Sequence, residues 1–556
     1  MSVMQDDHTP ERRDTRNCRA ERNRLGRRYR VMWDQNIGPE GLYHPPISRE
    51  RVGQAYHGFF EGRPVDAYVC TVGSNAGYTL DWPTQVPGAE FIVDRLNAGA
   101  KVGRTELWRK AENVRLLWER GLDPIGISVE TSIELGIDHW FRLSMNDWHH
   151  LAGGAAWLNL QAGSFYTGHP EYRIGEEGAR GWPEKLAEDV QWFQDWMHPE
   201  VRALRLGIAV EALQRYAATG FLYDFMRCPC YFKRGEEEAG AEVMTRFIRE
   251  TRASFDAIAQ EKQRPVGLAV RVPNTIGGAE RLGFDVRRWV AEGLIDILIP
   301  SCFFGQDTEE DITEWVELVR DSQTLLNPAI EEGYEAGHTG DFQRWYFQAP
   351  IMTPMSVEMI RALAAKHLAR GADGLFLFNF FGTSWTYNYD NREAVDDVAD
   401  PVRLKHKDKT YVVMRSHDSF PNCLQTEHQI PAPVTADPLT IEIDVADDLA
   451  PAGDRMESVR LRVHFENLTV YDEVEVSING HAVPCLNPFK AGGFAQYPPT
   501  TWLQYDLDEQ LPSVGRNQVG LRMERRNERL ADELPVTVED LELEVRYAHP
   551  NGRWHG

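Results

Sequence analysis

The sequence predicts an α/β chain, a (β/α)8 TIM barrel followed by a C-terminal antiparallel β-sandwich, from three observations. From Arg28 to about residue 405, short apolar runs of strand character alternate eight times with longer amphipathic stretches, the pattern of parallel strands joined by helices. No G-x-G-x-x-G or G-x-x-x-x-G-K-[ST] turn follows an early strand, as an open doubly wound sheet would normally show. After about residue 410 the helical period stops and period-two runs take over.

The strand runs in order are RYRVMWDQN (28–36), VDAYVCTVG (65–73), IDHWFRLSMND (137–147), GFLYDFMRC (220–228), RPVGLAVRVP (264–273), LIDILIPSCFF (294–304), QTLLNPAIEE (323–332) and ADGLFLFNFF (372–381). Between them, stretches such as TELWRKAENVRLLWERG and SVEMIRALAAKHLARG carry helical periodicity and end in Gly, as a helix C-cap does. Long insertions follow the second and third strands. Beyond residue 410, LTIEIDV, SVRLRVHF, EVEVSING, QVGLRM and LELEVRY alternate without helices, and Asn479-Gly480 reads as a hairpin turn. The expected division is a disordered Arg-rich arm over 1–27, a barrel over 28–410 and a carbohydrate-binding-like sandwich over 420–550, joined around PNCLQTEHQIPAPV.

Hydrophobic residues make up 42% of the 556-residue chain and charged residues 26%, which excludes a disordered chain and leaves ample material for a large core. A net charge of −25 repels phosphate backbones and anionic headgroups, so neither nucleic acid nor membrane is an expected partner. Seven Cys form no regular framework, and the first 30 residues hold no signal-peptide core. Free thiols and a cytoplasmic location are therefore expected. Cys228 and Cys230 have no second pair at zinc spacing. Oligomeric state is not readable.

In a barrel the active site forms at the C-terminal strand ends, and those ends are rich in carboxylates here. Asp34 closes the first strand, Asp147 the third, Asp224 lies within the fourth, and Glu331 and Glu332 close the seventh. Asp224 shares its face with Leu222 and Met226 in a segment expected to be buried on both sides, where a lone carboxylate costs several kcal/mol unless paired or used. Either it pairs with Arg142, Arg227 or Arg271, or it is a nucleophile or transition-state stabiliser, the reading preferred. Glu331 and Glu332 face opposite ways on an extended strand, and Glu331 is favoured to face the axis. Asp147 follows Asn146 where ordinary turn chemistry also fits.

Two carboxyl groups facing each other across a pocket are what glycosidic cleavage requires. Aromatics crowd the same ends: Trp33, Trp148, Phe303 and Trp385 offer stacking faces for sugar rings, and Asn36, Asn146 and Asn379 offer partners for hydroxyls. Asp34, His149 and Glu332 join them as expected substrate contacts. Arg142, Arg227 and Arg271, near the ends of consecutive strands, suggest an anionic sugar held by charge-assisted forks. Adjacent His149 and His150 diverge, so no catalytic metal and no cofactor is expected. G-x-S-x-G is absent, which removes a serine nucleophile elbow.

With GFLYDFMR, SMNDWHH and GADGLFLFNFF in these places, residues 28–405 resemble the family-10-like glycosyl hydrolases, and the tail (WLQYDLDEQL, VTVEDLELEVRY) resembles the jelly-roll sandwiches that accompany such barrels. The resemblance implies hydrolysis of poly- or oligosaccharides with Asp224 in the catalytic centre. Xylanase-type relatives carry a Glu after an Asn at the end of strand four, and this sequence has no Asn-Glu there. The expected function is a metal-independent glycoside hydrolase with Asp224 as nucleophile or stabiliser, Glu331 as general acid and Asp147 as the alternative acid. The rival readings are a non-catalytic carbohydrate-binding protein and a metal-dependent barrel hydrolase or isomerase using Asp147, His149 and Glu331.

Overall fold

The computed structural model describes residues 19–548 except 20, 36–37, 74–77, 101–104, 148–159, 183, 303–304, 332, 336–351, 381–391, 415–427, 451–454, 487–499 and 531–533. The barrel strands are β1 (Val31–Gln35), β2 (Ala67–Thr71), β3 (Asp138–Ser144), β4 (Gly220–Asp224), β5 (Gly267–Pro273), β6 (Ile297–Ser301), β7 in two pieces (Leu325–Leu326 and Ala329–Glu331) and β8 (Leu375–Phe378). Each lies inside one of the eight predicted runs. Neighbours pair in parallel from β1 through to the first piece of β7, the second piece pairs with β8, and β8 returns to β1, closing the sheet. The seventh strand breaks at Asn327-Pro328, since proline has no N–H to give to a ladder.

Helices wrap this sheet, and several begin on side-chain caps. Ser48 accepts from Arg51 N–H at the start of α1 (Arg49–Phe60), and Ser356 accepts from Met359 N–H at the start of α2 (Val357–Arg370). Gly371 ends α2 at φ 112°, the left-handed stop that the sequence pattern predicts.

Period two sorts each strand into an outer face packed on helices and an inner face that fills the barrel. Met32, Ala67, Val69, Trp140, Leu222, Ala269, Ile297, Ile299 and Phe376 form one inner apolar cluster. The Trp140 indole needs space that two neighbouring strands provide by having no side chain: a Cβ at Gly220 would lie 2.5 Å from the ring, and one at Gly267 2.4 Å. One step further along the strands the inner face turns from apolar to charged.

The N-terminal end of the barrel is closed by residues expected to be disordered. Arg19 Nε donates to Asp373 at 2.9 Å, Asn23 Nδ2 donates to the carbonyls of Asp296 and Gln323 at 2.9 Å each, and Leu25 joins the inner apolar cluster. The disordered arm over 1–27 is thus corrected for its described part, because burying Leu25 and pairing Arg19 with buried Asp373 hold that segment in place.

The sandwich has two antiparallel sheets. One orders β9 (Lys409–Val413), β16 (Thr537–Tyr547), β11 (Met456–Glu466) and β14 (Thr500–Asp506), and the other β10 (Leu439–Val445), β15 (Gly515–Arg525), β12 (Glu473–Ile478) and β13 (His481–Ala482). Asn479 and Gly480 take φ 48° and 84°, as a two-residue hairpin turn requires. β9 pairs with β16 and starts before the expected boundaries at 410 and 420, so barrel and sandwich are separated by a few residues rather than by the linker. Arg546 and Glu358 (3.4 Å), together with the Arg370–Asp444 pair, tie the sandwich to α2 and its end. Among the described residues no helix is long and apolar enough to cross a membrane.

Candidate functional site

The charged layer sits directly above the apolar filling, at the C-terminal ends of the strands. Asp224, the last residue of β4, is its centre. Its Oδ2 accepts from Arg142 Nη1 at 2.6 Å, and its Oδ1 accepts from Arg271 Nη1 at 3.2 Å and from Met226 N–H at 3.0 Å. Arg142, on β3, also donates to Thr71 Oγ1 at 2.6 Å and holds its Nε 2.9 Å from Asp34 Oδ1. Arg271, on β5, donates to Ser301 Oγ at 2.9 Å, to the Cys302 carbonyl at 3.3 Å and to Glu331 Oε1, and its guanidinium lies 3.5 Å from the Phe378 ring centroid. The result is a chain of alternating charge, Asp34–Arg142–Asp224–Arg271–Glu331, across strands β1, β3, β4, β5 and β7.

Four of the five are essentially sealed, at 0% exposure for Asp34, Arg142 and Asp224 and 1% for Arg271, while Glu331 reaches 7%. Burial alone would raise the Asp224 carboxyl, but Arg271, Arg142 and Arg227 outweigh it and hold the group below the usual carboxylate range. Asp34 goes the other way. Burial pushes it up to about 6, with Asp224 adding to the rise and Arg142 only partly opposing it. Behind Glu331, Gln306 Oε1 accepts the Glu331 N–H at 2.9 Å, and buried Glu310 and Lys366 complete a second polar layer. Burial and Asp307 drive the Glu310 carboxyl well above its ordinary value, and burial lowers Lys366 to about 8.

The geometry brings together Asp34, Arg142, Asp224, Arg271 and Glu331 from the expected set, and gives several others different work. Trp33 faces outward, packed edge-on against Phe60 at 4.9 Å with its indole N–H on the Phe380 carbonyl at 3.0 Å, because it alternates with inward Asp34. It is a core residue and not a sugar platform. Asn146 is likewise consumed, donating to the Gln194 and Cys230 carbonyls and accepting from Gln194 N–H at 2.9 Å, so it ties loops together. Asp34 is sealed in the charged layer rather than open to substrate. Asn379, half-buried at φ 51°, offers its backbone N–H to Asp34 Oδ2 at 3.3 Å. Asp147 is buried with Arg227 Nε 3.8 Å away. Asn36, Trp148, His149, Phe303, Glu332 and Trp385 lie outside the described residues.

The arginines carry a second correction. An anionic sugar was expected from three free forks, yet Arg142 and Arg271 are engaged by Asp34, Asp224 and Glu331, which removes the basis of that expectation. Thr71, Ser301 and Phe378 are site residues that the sequence reading passed over. Each sits at an inward position of its strand, and counting in twos from Ala67, Ile299 or Phe376 would have found them. Among the described residues no group of three His, Cys, Asp or Glu side chains could hold a metal.

No protein-family model matches the chain, and no curated protein matches it. Several solved structures align at low identity. The cycloisomaltooligosaccharide glucanotransferase of Paenibacillus sp. shares 10% identity at a TM-score of 0.32, with 92% of this chain and 57% of that chain covered. The present chain thus spans a little over half of that protein. An Anoxybacillus alpha-amylase shares 12% identity at 0.36, covering 90% of this chain and 99% of its own. Endo-glycoceramidase II of Rhodococcus sp. shares 13% at 0.36, covering 89% and 98%. At such TM-scores these likenesses assign neither family nor activity, and the functional reading rests on the site.

Proposed function

We propose that the protein is a glycoside hydrolase acting on a poly- or oligosaccharide at the C-terminal mouth of its barrel. The observation that carries this reading is the charged layer itself. An apolar barrel interior ends in three buried carboxylates against two guanidiniums, a surplus of acid that packing does not require and that acid–base cleavage of an acetal can draw on. In this reading Asp224 is the permanent anion, kept ionised by Arg142 and Arg271 and placed to stabilise positive charge developing on the sugar ring. Glu331, the member of the layer that reaches solvent, is the general acid, and Asp147 with its Arg227 neighbour is the alternative. The resemblance to family-10-like glycosyl hydrolases fits this assignment. An anionic sugar does not enter it, since the arginines that suggested one are occupied.

A second reading has one observation in its favour. Both oxygens of Asp224 are bound and its exposure is 0%, as in a barrel that binds carbohydrate without cleaving it. The deciding experiment screens the full chain against aryl glycosides and plant or algal polysaccharides, with Glu331→Gln and Asp224→Asn alongside. Turnover that both variants lose supports the hydrolase, whereas saturable binding without turnover selects the second reading.

A further inference from the structure

Among the described residues five charged groups are shut into one layer, and their charges do not balance. Asp34, Asp224 and Glu331 bring three carboxylates, while Arg142 and Arg271 bring two guanidiniums, and adding the Asp147–Arg227 pair leaves the excess of one carboxylate unchanged. An uncompensated buried anion is costly enough that such a cluster takes up a proton instead.

The geometry says where. Asp224 has hydrogen bonds from two arginines and a backbone N–H, so a proton on either oxygen would displace a donor already in place and remove the charge that both guanidiniums face. Glu331 has a bond from Arg271 and a partial path to water. Asp34 is the worst served. Its Oδ1 receives no hydrogen bond from the described residues although Arg142 Nε is 2.9 Å away, because that N–H does not point at it. From the described residues its Oδ2 has only the 3.3 Å contact from Asn379 N–H. Arg142 on β3, Asp224 on β4, Arg271 on β5 and the Asn379 N–H after β8 are the charged and polar groups that act on it.

We infer that Asp34 is the proton-carrying member of the layer and a positioning residue for Asp224: neutral Asp34 leaves Arg142 committed to Asp224, and ionised Asp34 competes for that guanidinium. The proton comes from and returns to bulk water, and no other group need change. The rise of the Asp34 carboxyl to about 6 places the exchange in a physiological range. The consequence for turnover rests on the glycosidase reading. The proton itself does not.

The test separates the two. The full chain is labelled with carboxyl-13C aspartate and titrated by infrared difference spectroscopy between about pH 4 and about pH 9, a range that brackets the shifted group. The label separates buried Glu40 and Glu310 from the aspartate signal, and the difference between wild type and Asp34→Asn cancels the raised Asp296 and Asp373. The expected result is a protonated aspartate band with a midpoint near 6 that vanishes in Asp34→Asn and survives in Asp147→Asn. A component near 6 that persists undiminished in Asp34→Asn, or no aspartate proton above about pH 5, overturns the inference. Should Asp34→Asn fail to fold, the wild-type titration repeated in Arg142→Lys still decides, because the midpoint must move if Arg142 faces the titrating group. In activity, the limb of kcat/KM near pH 6 should flatten in Asp34→Asn and return in Asp34→Glu. Absence of any turnover would sink the hydrolase reading and leave the spectroscopic result standing.

Discussion

The two ends of the barrel bury nearly the same kinds of residue and use them differently. At the N-terminal end, Asp373 is held by Arg19, and Asp296 by Arg24 and Arg252 at 2.9 Å each, while Arg252 also pairs with Asp256 at 2.8 Å, so three guanidiniums face three carboxylates. Backbone N–H groups finish the set, with Leu326 donating to Asp373 at 2.8 Å and Leu268 to Asp296 at 2.7 Å. At the C-terminal end two guanidiniums face three carboxylates. Buried charge by itself therefore does not mark a functional site, since the lower layer is fully explained as the closure of the barrel by residues 19–25. What marks the upper layer is its imbalance, for among the described residues it holds a surplus of acid at the C-terminal strand ends, which closure does not need.

The comparison breaks most visibly when one carboxylate is neutralised at each end. Asp224→Asn should lower turnover by about three decades or more, the scale of losing a preorganised electrostatic partner, and should cost stability as well, because Arg142 and Arg271 lose the anion they share. Glu331→Gln should lose turnover on natural substrates to a similar extent, and substrates with activated leaving groups should rescue part of it, as they do when only a proton donor is missing. Asp296→Asn should spare turnover. It leaves Arg24 without its anion and Arg252 with exposed Asp256 alone, and should lower unfolding free energy with kcat per folded molecule preserved. Urea titration and initial rates on the same samples measure both, and an Asp224→Asn enzyme with wild-type rates would end the hydrolase assignment.

The strands were readable because a parallel barrel strand is buried on both faces and announces itself as an unbroken apolar run. Period two then carried Asp224 and Glu331 to the axis, correctly, and should have carried Trp33 away from it. Counting aromatics near strand ends put Trp33 in the site, whereas alternation with Asp34 puts it under α1. The partners of Asp224 were only half readable. Arg142 and Arg271 were named both as its neighbours and as free anion forks, and no one-dimensional pattern shows that a single guanidinium bridges two strands. Residues 19–25 were misread for a related reason: Arg-rich composition looks like a solvated arm unless the buried aspartates that receive it, Asp296 and Asp373, are seen 270 or more positions away. β9 and β14 were missed, one because it follows a helix at once and the other because TTWLQYD mixes polar and aromatic residues on both faces.

A smaller effect sharpens the comparison through pH. With Asp34 raised in the folded chain to about 6 from an ordinary 3.8, the native state binds more protons than the unfolded one between those values, so this group makes stability fall as pH rises through that window. Two units correspond to about 3 kcal/mol as an upper scale. Asp224 has the opposite sign, since its depressed carboxyl contributes stability that is lost as pH falls toward its folded value. Burial raises Asp296 and Asp373 as well, so the wild-type curve mixes both ends. The difference between wild type and Asp34→Asn isolates the upper layer, and it should shrink the fall between about pH 4 and about pH 7. An unchanged slope would place the proton elsewhere.

The smallest effect concerns the wall between the two layers. Trp140 lies one inward position below Arg142 and meets Tyr29 edge-on at 5.7 Å, and its indole occupies the space left by Gly220 and Gly267. Gly220→Ala puts a methyl carbon 2.5 Å from the ring in the middle of a close-packed interior. Neither the ring nor the Gly267 carbonyl, 2.7 Å from the same point, is the end of a flexible side chain that could swing aside. Overpacking of this kind typically costs about 1 to 3 kcal/mol. If the wall merely separates two independent layers, Gly220→Ala lowers the urea midpoint and leaves kcat/KM and its pH limb where they were. A shifted limb would show instead that Trp140 sets the height of Arg142, and that the apolar filling is itself part of how Asp224 is held.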